Sequence, residues 1–217
     1  LTINAAETEG SYSGIDAKNS GTGALSITTT GTTTGRNAGI KAEIDNTSST
    51  GALSITTSGA TTGTSGHGII AANSGTSAVN ITTTGTTTGT NGNGIFARNG
   101  SDGDPAGTDL TINAAETEGD LNGIVAQNYG SGALSITTTG TTTGGTYGIF
   151  AKINNAGSTG DLTIVTGKFD DEGNLIKSVD TTGGRYGIYA TNFGNGALSI
   201  TTSGAITGGT GYGIRTR

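Results

Sequence analysis

Apolar residues in this chain come two apart and in small groups. In Leu25–Gly35, LSITTTGTTTG, the residues Leu25, Ile27 and Thr29 fall on one side of an extended chain, and Ser26, Thr28 and Thr30 on the other. The stretch recurs unchanged at Leu134–Gly144, and ITTTGTTTG returns at Ile81–Gly89. Looser versions begin at Leu1, Leu53, Leu110, Leu162 and Leu198. Between copies sits a second alternating segment, Gly-Ile with Ala or Thr two residues on, starting at Gly14, Gly39, Gly68, Gly94, Gly123, Gly148, Gly187 and Gly213. There Ile15, Ala17 and Asn19 share one face and Asp16 and Lys18 the other. A third short strand, TTTG or ATTG, follows the turn glycines Gly31, Gly59, Gly85 and Gly140.

Three short strands per unit, in about eight units, predict an all-β fold: a right-handed single-stranded parallel β-helix of about eight coils. No coil can bury its own apolar side, whereas stacked coils share one interior and pair strands roughly 4.8 Å apart, giving a rod section of roughly 35–40 Å. A hairpin-based β-sandwich is the structural competitor, but identical strands recurring once per unit align most naturally in parallel and in register. The whole chain, 1–217, reads as one β-helix segment of a longer protein. Leu1–Gly10 repeats as Leu110–Gly119, so a four-coil block, 1–109, is followed by a second, 110–217. Two places interrupt the pattern. Ser101–Asp109 is a loop holding Pro105, and Lys168–Asp180 is an inserted loop or hairpin, with its turn at Asp171–Asn174. Phe169, Leu175, Ile176 and Val179 are expected to fold it against the rod.

Corners vary in a regular way. Short corners follow Asn19, Asn73, Asn128 and Asn192, where an inward Asn can bond turn backbone. Wider ones follow Ile44 and Ile153, which are expected to close by apolar packing. Asn99 precedes the longest corner and departs from that correlation.

Composition narrows the functional classes. Among 217 residues there are 42 Gly, one Pro, and no Cys, Met or Trp, which leaves neither a collagen period nor a disulfide framework. The formal net charge of -6 argues against nucleic acid as a partner. No apolar run reaches the length of a membrane span. The lone histidine, His67, precedes Gly68 as Tyr147, Tyr186 and Tyr212 precede their glycines, so it reads as a corner side chain. No catalytic, cofactor-binding or metal-binding residues are assigned. Asp102 with Asp104, and Asp170, Asp171 and Glu172, are weak calcium candidates without the register of an EF-hand. The acidic pairs Glu7/Glu9 and Glu116/Glu118 read as a solvated face, since neighbours on one strand cannot straddle a glycosidic bond. Asn46, Asn80 and Asn99 match a glycosylation acceptor pattern that so Thr-rich a chain produces unaided.

Two outward columns carry more weight. Ser26/Thr28/Thr30 and their equivalents form ranks of hydroxyls, the geometry that an ice-binding face would use, interrupted at Asn113/Ala115 and Val165/Gly167. After each Gly-Ile comes Asp16, Lys41, Ile70, Phe96, Val125, Phe150, Tyr189 or Arg215. Five of these in succession, Ile70, Phe96, Val125, Phe150 and Tyr189, form an apolar ridge: either a stacking ladder or a surface that docks against another chain or ligand.

The alternation of GIDAKN, GIIAAN, GIFARN, GIVAQN and GIYATN with GALSITTTGTTTG-like strands resembles the repetitive passenger regions of bacterial autotransporters. The likeness covers essentially the whole chain except Lys168–Asp180. It implies a β-helix carried to the bacterial outer surface by a membrane barrel and acting as a stalk or adhesin, with self-association or a host or cell-surface ligand as partner. The serine-protease signature of some members is missing, and the acidic groups of β-helical polysaccharide lyases have no convincing match. A non-enzymatic, surface-displayed rigid segment is therefore the expectation. A self-associating fibre or aggregation subunit is the alternative, ahead of an ice-binding face or a carbohydrate-processing enzyme.

Overall fold

The structure, a computed structural model, describes residues 1–102, 107–170 and 172–217. It is a right-handed parallel β-helix of about eight coils. The Leu-x-Ile segments, from Thr2–Ala5 to Leu198–Thr202, make a first eight-stranded sheet. The TTG segments, from Thr8–Gly10 to Ile206–Gly208, make a second, and the Gly-Ile segments, from Ser13–Asn19 to Ile214–Thr216, a third. Every neighbouring pair within these sheets is parallel and in register: Leu25 pairs with Leu53, Ile95 with Ile124, Gly119 with Gly144. Register is fixed because a slip of one residue would turn each Leu, Ile and Ala outward.

The interior is one continuous column. Leu53, Ile55, Ile69 and Ala71 are fully buried, and the same four positions are filled in the next coils by Val79, Ile81, Ile95 and Ala97. Threonines complete it. Thr33, Thr61, Thr87, Thr142 and Thr181 on the second sheet are fully buried, and their hydroxyls have no partner among the described residues. What they supply is the methyl group. A Cβ added at Gly94 would lie 2.6 Å from the Thr117 methyl and 2.8 Å from the carbonyl oxygens of Glu118 and Gly123. From Gly14 to Gly187 the glycine of the Gly-Ile pair is therefore required by close approach of the next coil; positive φ occurs elsewhere, as at Asn91 and Gly100.

Short corners close as the sequence suggests. Asn128, fully buried, accepts a hydrogen bond from the Gly130 N–H at 3.0 Å and donates to the carbonyls of Thr108, Gly132 and Ala133 at 3.0–3.1 Å. Asn19 and Asn192 do the same within their own corners, accepting from Gly21 and Gly194. Asn73 adds a step between coils, donating to Asn99 Oδ1 at 2.9 Å. The wide corners differ from the expectation of apolar closure. Ile44 and Ile153 are buried, but the bend itself is polar. Asn155 accepts from Gly157, while the buried Ser158 donates to Ser131 and Gly132 of the preceding coil at 2.9 and 3.2 Å. Asn46 and Ser49 repeat the device.

The insertion is an antiparallel hairpin, Lys168–Phe169 with Leu175–Lys177, lying between the first-sheet strand Leu162–Thr166 and the second-sheet strand Thr181–Gly183. Only Val179 packs fully into the rod; Leu175 and Ile176 are exposed, contrary to the expectation that all four apolar residues fold against it. A two-stranded hairpin has no second layer to bury them on. Pro105, Asp104 and Asp171 lie outside the described residues.

Candidate functional site

The outward face of the third sheet carries the most distinctive side chains. Its column runs Asp16, Lys41, Ile70, Phe96, Val125, Phe150, Tyr189, Arg215, each paired with the next. The five ridge residues thus form one unbroken stripe. Val125 is buried at 7 % exposure between Phe96 and Phe150, and the other four are half-buried. Phe150 and Tyr189 stack at 5.4 Å with their planes 4° apart. A second aromatic column stands beside the first: Tyr147 stacks on Tyr186 at 5.7 Å, and Tyr186 on Tyr212 at 6.0 Å. Ring faces within the columns cover one another, whereas Tyr212 at the end of its stack is exposed.

The two halves of this face differ in charge. Near the first coils, charges are matched: Lys18 meets Asp45 at 2.7 Å, and Lys41 lies 3.8 Å from both Asp16 and Glu43. The hydrogen bond and charge of each partner hold the Lys18 amine above and the Asp45 carboxyl below their usual values. Toward the last coils, Lys152, Arg185, Arg215 and Arg217 line an open groove of about 480 Å³ with the aromatic residues. Arg215 Nη1 donates to the Tyr186 hydroxyl at 2.7 Å. Burial pushes that phenol up, but the Arg215 hydrogen bond and the Arg185 and Arg215 charges outweigh it, so its pKa lies below the usual value.

The column of ridge positions was legible from the sequence; the groove was not. Its signal was present in YGIFAKI, RYGIYATNF and YGIRTR, where cations and aromatics share outward positions on successive coils. The groove emerges only when residues more than thirty positions apart are stacked, as Lys152 and Thr191 are.

The remaining sequence candidates separate. His67 is half-buried, its Nδ1 accepting the Asn93 N–H at 3.0 Å and its ring 6.1 Å from Phe96. Among the described residues no group of three His, Cys, Asp or Glu side chains is placed to hold a metal. Asp170 is engaged in its own turn, accepting from Asn174 at 2.7 and 3.0 Å. Asn99 is fully buried, which removes it as a glycosylation acceptor, while Asn80 is exposed. Glu116 and Glu118 are exposed side chains, Glu116 accepting at 3.4 Å from Thr86. The outward Ser and Thr ranks of the first sheet are in register, with Asn113 between Thr82 and Thr137 and Val165 opposite Thr137. No helix is long and apolar enough to cross a membrane among the described residues.

No family model, curated protein or solved structure matches this chain.

Proposed function

We propose that this chain is a non-enzymatic structural segment: a stiff, surface-displayed rod of adhesin-like type that spaces or presents other parts of its parent protein. The observation that carries this is the unbroken register of three eight-stranded parallel sheets around one core column. A solenoid built this way resists bending because any local opening breaks three ladders at once, and its length is set by coil number. Duplication of a four-coil block fits a role in which length matters more than a single set of unique residues. Two measurements test the proposal. Small-angle scattering of residues 1–217 should give a rigid rod of roughly 35–40 Å in its coil-stacking dimension. Antibody against this segment should label intact bacterial cells that express the parent protein. A flexible scattering profile would refute the rod, and labelling only after permeabilisation would refute surface display.

The apolar stripe Ile70, Phe96, Val125, Phe150 and Tyr189, half-buried at all positions but the buried Val125, favours a second reading, lateral self-association through this ridge. Light scattering with negative-stain imaging should compare the native chain with the Phe96→Ser/Phe150→Ser variant. Association that the double substitution abolishes, in a chain that stays folded, supports the interface. Monomers in both leave the stripe as a stacking ladder.

A further inference from the structure

The cations of this acidic chain are concentrated in one place. Of ten Lys and Arg residues, four line the groove at the last coils, and no Asp or Glu lines it. The ion pairs among the described residues involve only Lys18 and Lys41. Gathering like charges on one face without carboxylates is electrostatically unfavourable in the free protein and becomes favourable when an anion arrives.

The cations are also held in position. Arg185 lies over the Tyr186 ring at 5.0 Å, Arg215 lies over Tyr186 and Tyr189 at 5.5 and 5.8 Å, and Lys152 lies over Phe193 at 4.9 Å. Their hydrogen-bonding heads are thus ordered before any ligand binds, which lowers the entropic cost of binding. Thr191, at 2 % exposure, lines the same groove, and its hydroxyl has no partner among the described residues.

Chemistry selects among anionic ligands. A single-stranded nucleic acid is captured by stacking bases on free aromatic faces. Within the groove the rings of Tyr147, Phe150, Tyr186 and Tyr189 pack on one another and under the Arg215 guanidinium, which leaves little free ring face for a base. What the groove offers is a row of separated cations together with phenol and threonine hydroxyls. That set matches a chain of sugars bearing acidic groups: carboxylate or sulfate to the cations, and ring hydroxyls to the polar edge groups. We propose that this groove binds an acidic polysaccharide, with Lys152, Arg185 and Arg215 pairing to its carboxylate or sulfate groups. This goes beyond the rod role and is independent of it.

The chain contains no Trp, and four of its six Tyr, Tyr147, Tyr186, Tyr189 and Tyr212, lie on this face, so intrinsic Tyr emission reports binding directly. Residues 1–217 would be titrated at low ionic strength with hexagalacturonate, its fully methyl-esterified form, dT6 and inorganic sulfate. The expected result is saturable binding of hexagalacturonate alone. Arg185→Gln and Lys152→Gln should each weaken it roughly tenfold, the loss of a charge-assisted hydrogen bond, with an unchanged circular dichroism spectrum and melting temperature. Added salt should weaken binding further. Equal binding of the esterified form, tighter binding of dT6, equivalent binding of inorganic sulfate, absence of hexagalacturonate binding, or unaltered affinity in both folded variants would each overturn the proposal. A native chain that melts as a rod yet fails to bind would leave the structural role untouched.

Discussion

Asn128→Ala isolates how a coil is closed. The side chain is fully buried and makes four hydrogen bonds, one accepted from Gly130 N–H and three donated to carbonyls of Thr108, Gly132 and Ala133. Two of those carbonyls keep another donor: Ala133 accepts from Leu110 N–H at 2.9 Å, and Gly132 from Ser158 at 3.2 Å. The Gly130 N–H is buried and has no other partner among the described residues. Orphaning that donor costs about 1–3 kcal/mol, and the lost donors to carbonyl oxygen add about 1 kcal/mol, so the expected destabilisation is about 3 kcal/mol. Asn19→Ala is the matched control. It removes the same kind of turn, but Asn19 is only half-buried and Gly21 is exposed, so water replaces the lost partner and the cost should be about 1 kcal/mol or less. Urea unfolding followed by circular dichroism gives the global comparison. Because coils contact mainly their neighbours, amide exchange across residues 108–134 should also be read, and there Asn128→Ala should speed exchange roughly hundredfold. Equal destabilisation by the two substitutions, within about half a kcal/mol, would refute the buried-Asn account of corner closure.

Further outcomes follow from the same geometry. Gly94→Ala should destabilise by about 3 kcal/mol or more, because its new methyl meets the Thr117 methyl and two carbonyls; Gly23→Ala, with nothing within 4 Å of the added carbon, should be neutral or mildly stabilising in the same denaturation assay. Ile112→Ala removes a fully buried side chain from the middle of the column and should cost about 2–5 kcal/mol by urea midpoint. Ser158→Ala should cost about 1–2 kcal/mol, since Gly160 N–H loses its 3.1 Å acceptor in a wide corner; no measurable change would restore purely apolar closure there. Burial holds the His67 pKa below its ordinary 6.5, and its Nδ1 is occupied in accepting the Asn93 N–H. The unfolded chain then binds the proton more readily, so His67 contributes stability that is complete above about pH 6.5 and declines as pH falls toward the folded pKa. Thermal melts from pH 8 to 5 should show this slope in the native chain and not in His67→Tyr; parallel curves would rule it out.

The period-two alternation in Leu25–Thr29 and Ile15–Asn19, repeated once per coil, was enough by itself to determine the strands, their parallel register and the core. Each repeat offers the same apolar face, and only in-register stacking buries all of them together. The turn role of Asn128 was equally legible, because an Asx turn is local: its acceptor bond reaches only two residues on. The sequence did not reveal the polar closure of the wide corners, where Ser158 bonds carbonyls of the preceding coil at Ser131 and Gly132. Nor did it explain the glycine of the Gly-Ile pairs, which from Gly14 to Gly148 meets a threonine methyl contributed by the following coil and at Gly187 the Ile206 methyl. The groove was the furthest from view. Lys152, Arg185 and Arg215 are separate single charges along the chain, and they become one cationic surface only because a coil of some thirty residues returns each of them to the same face. Local alternation therefore determined the rod, while its chemistry was decided by which outward residues the stacking brings side by side.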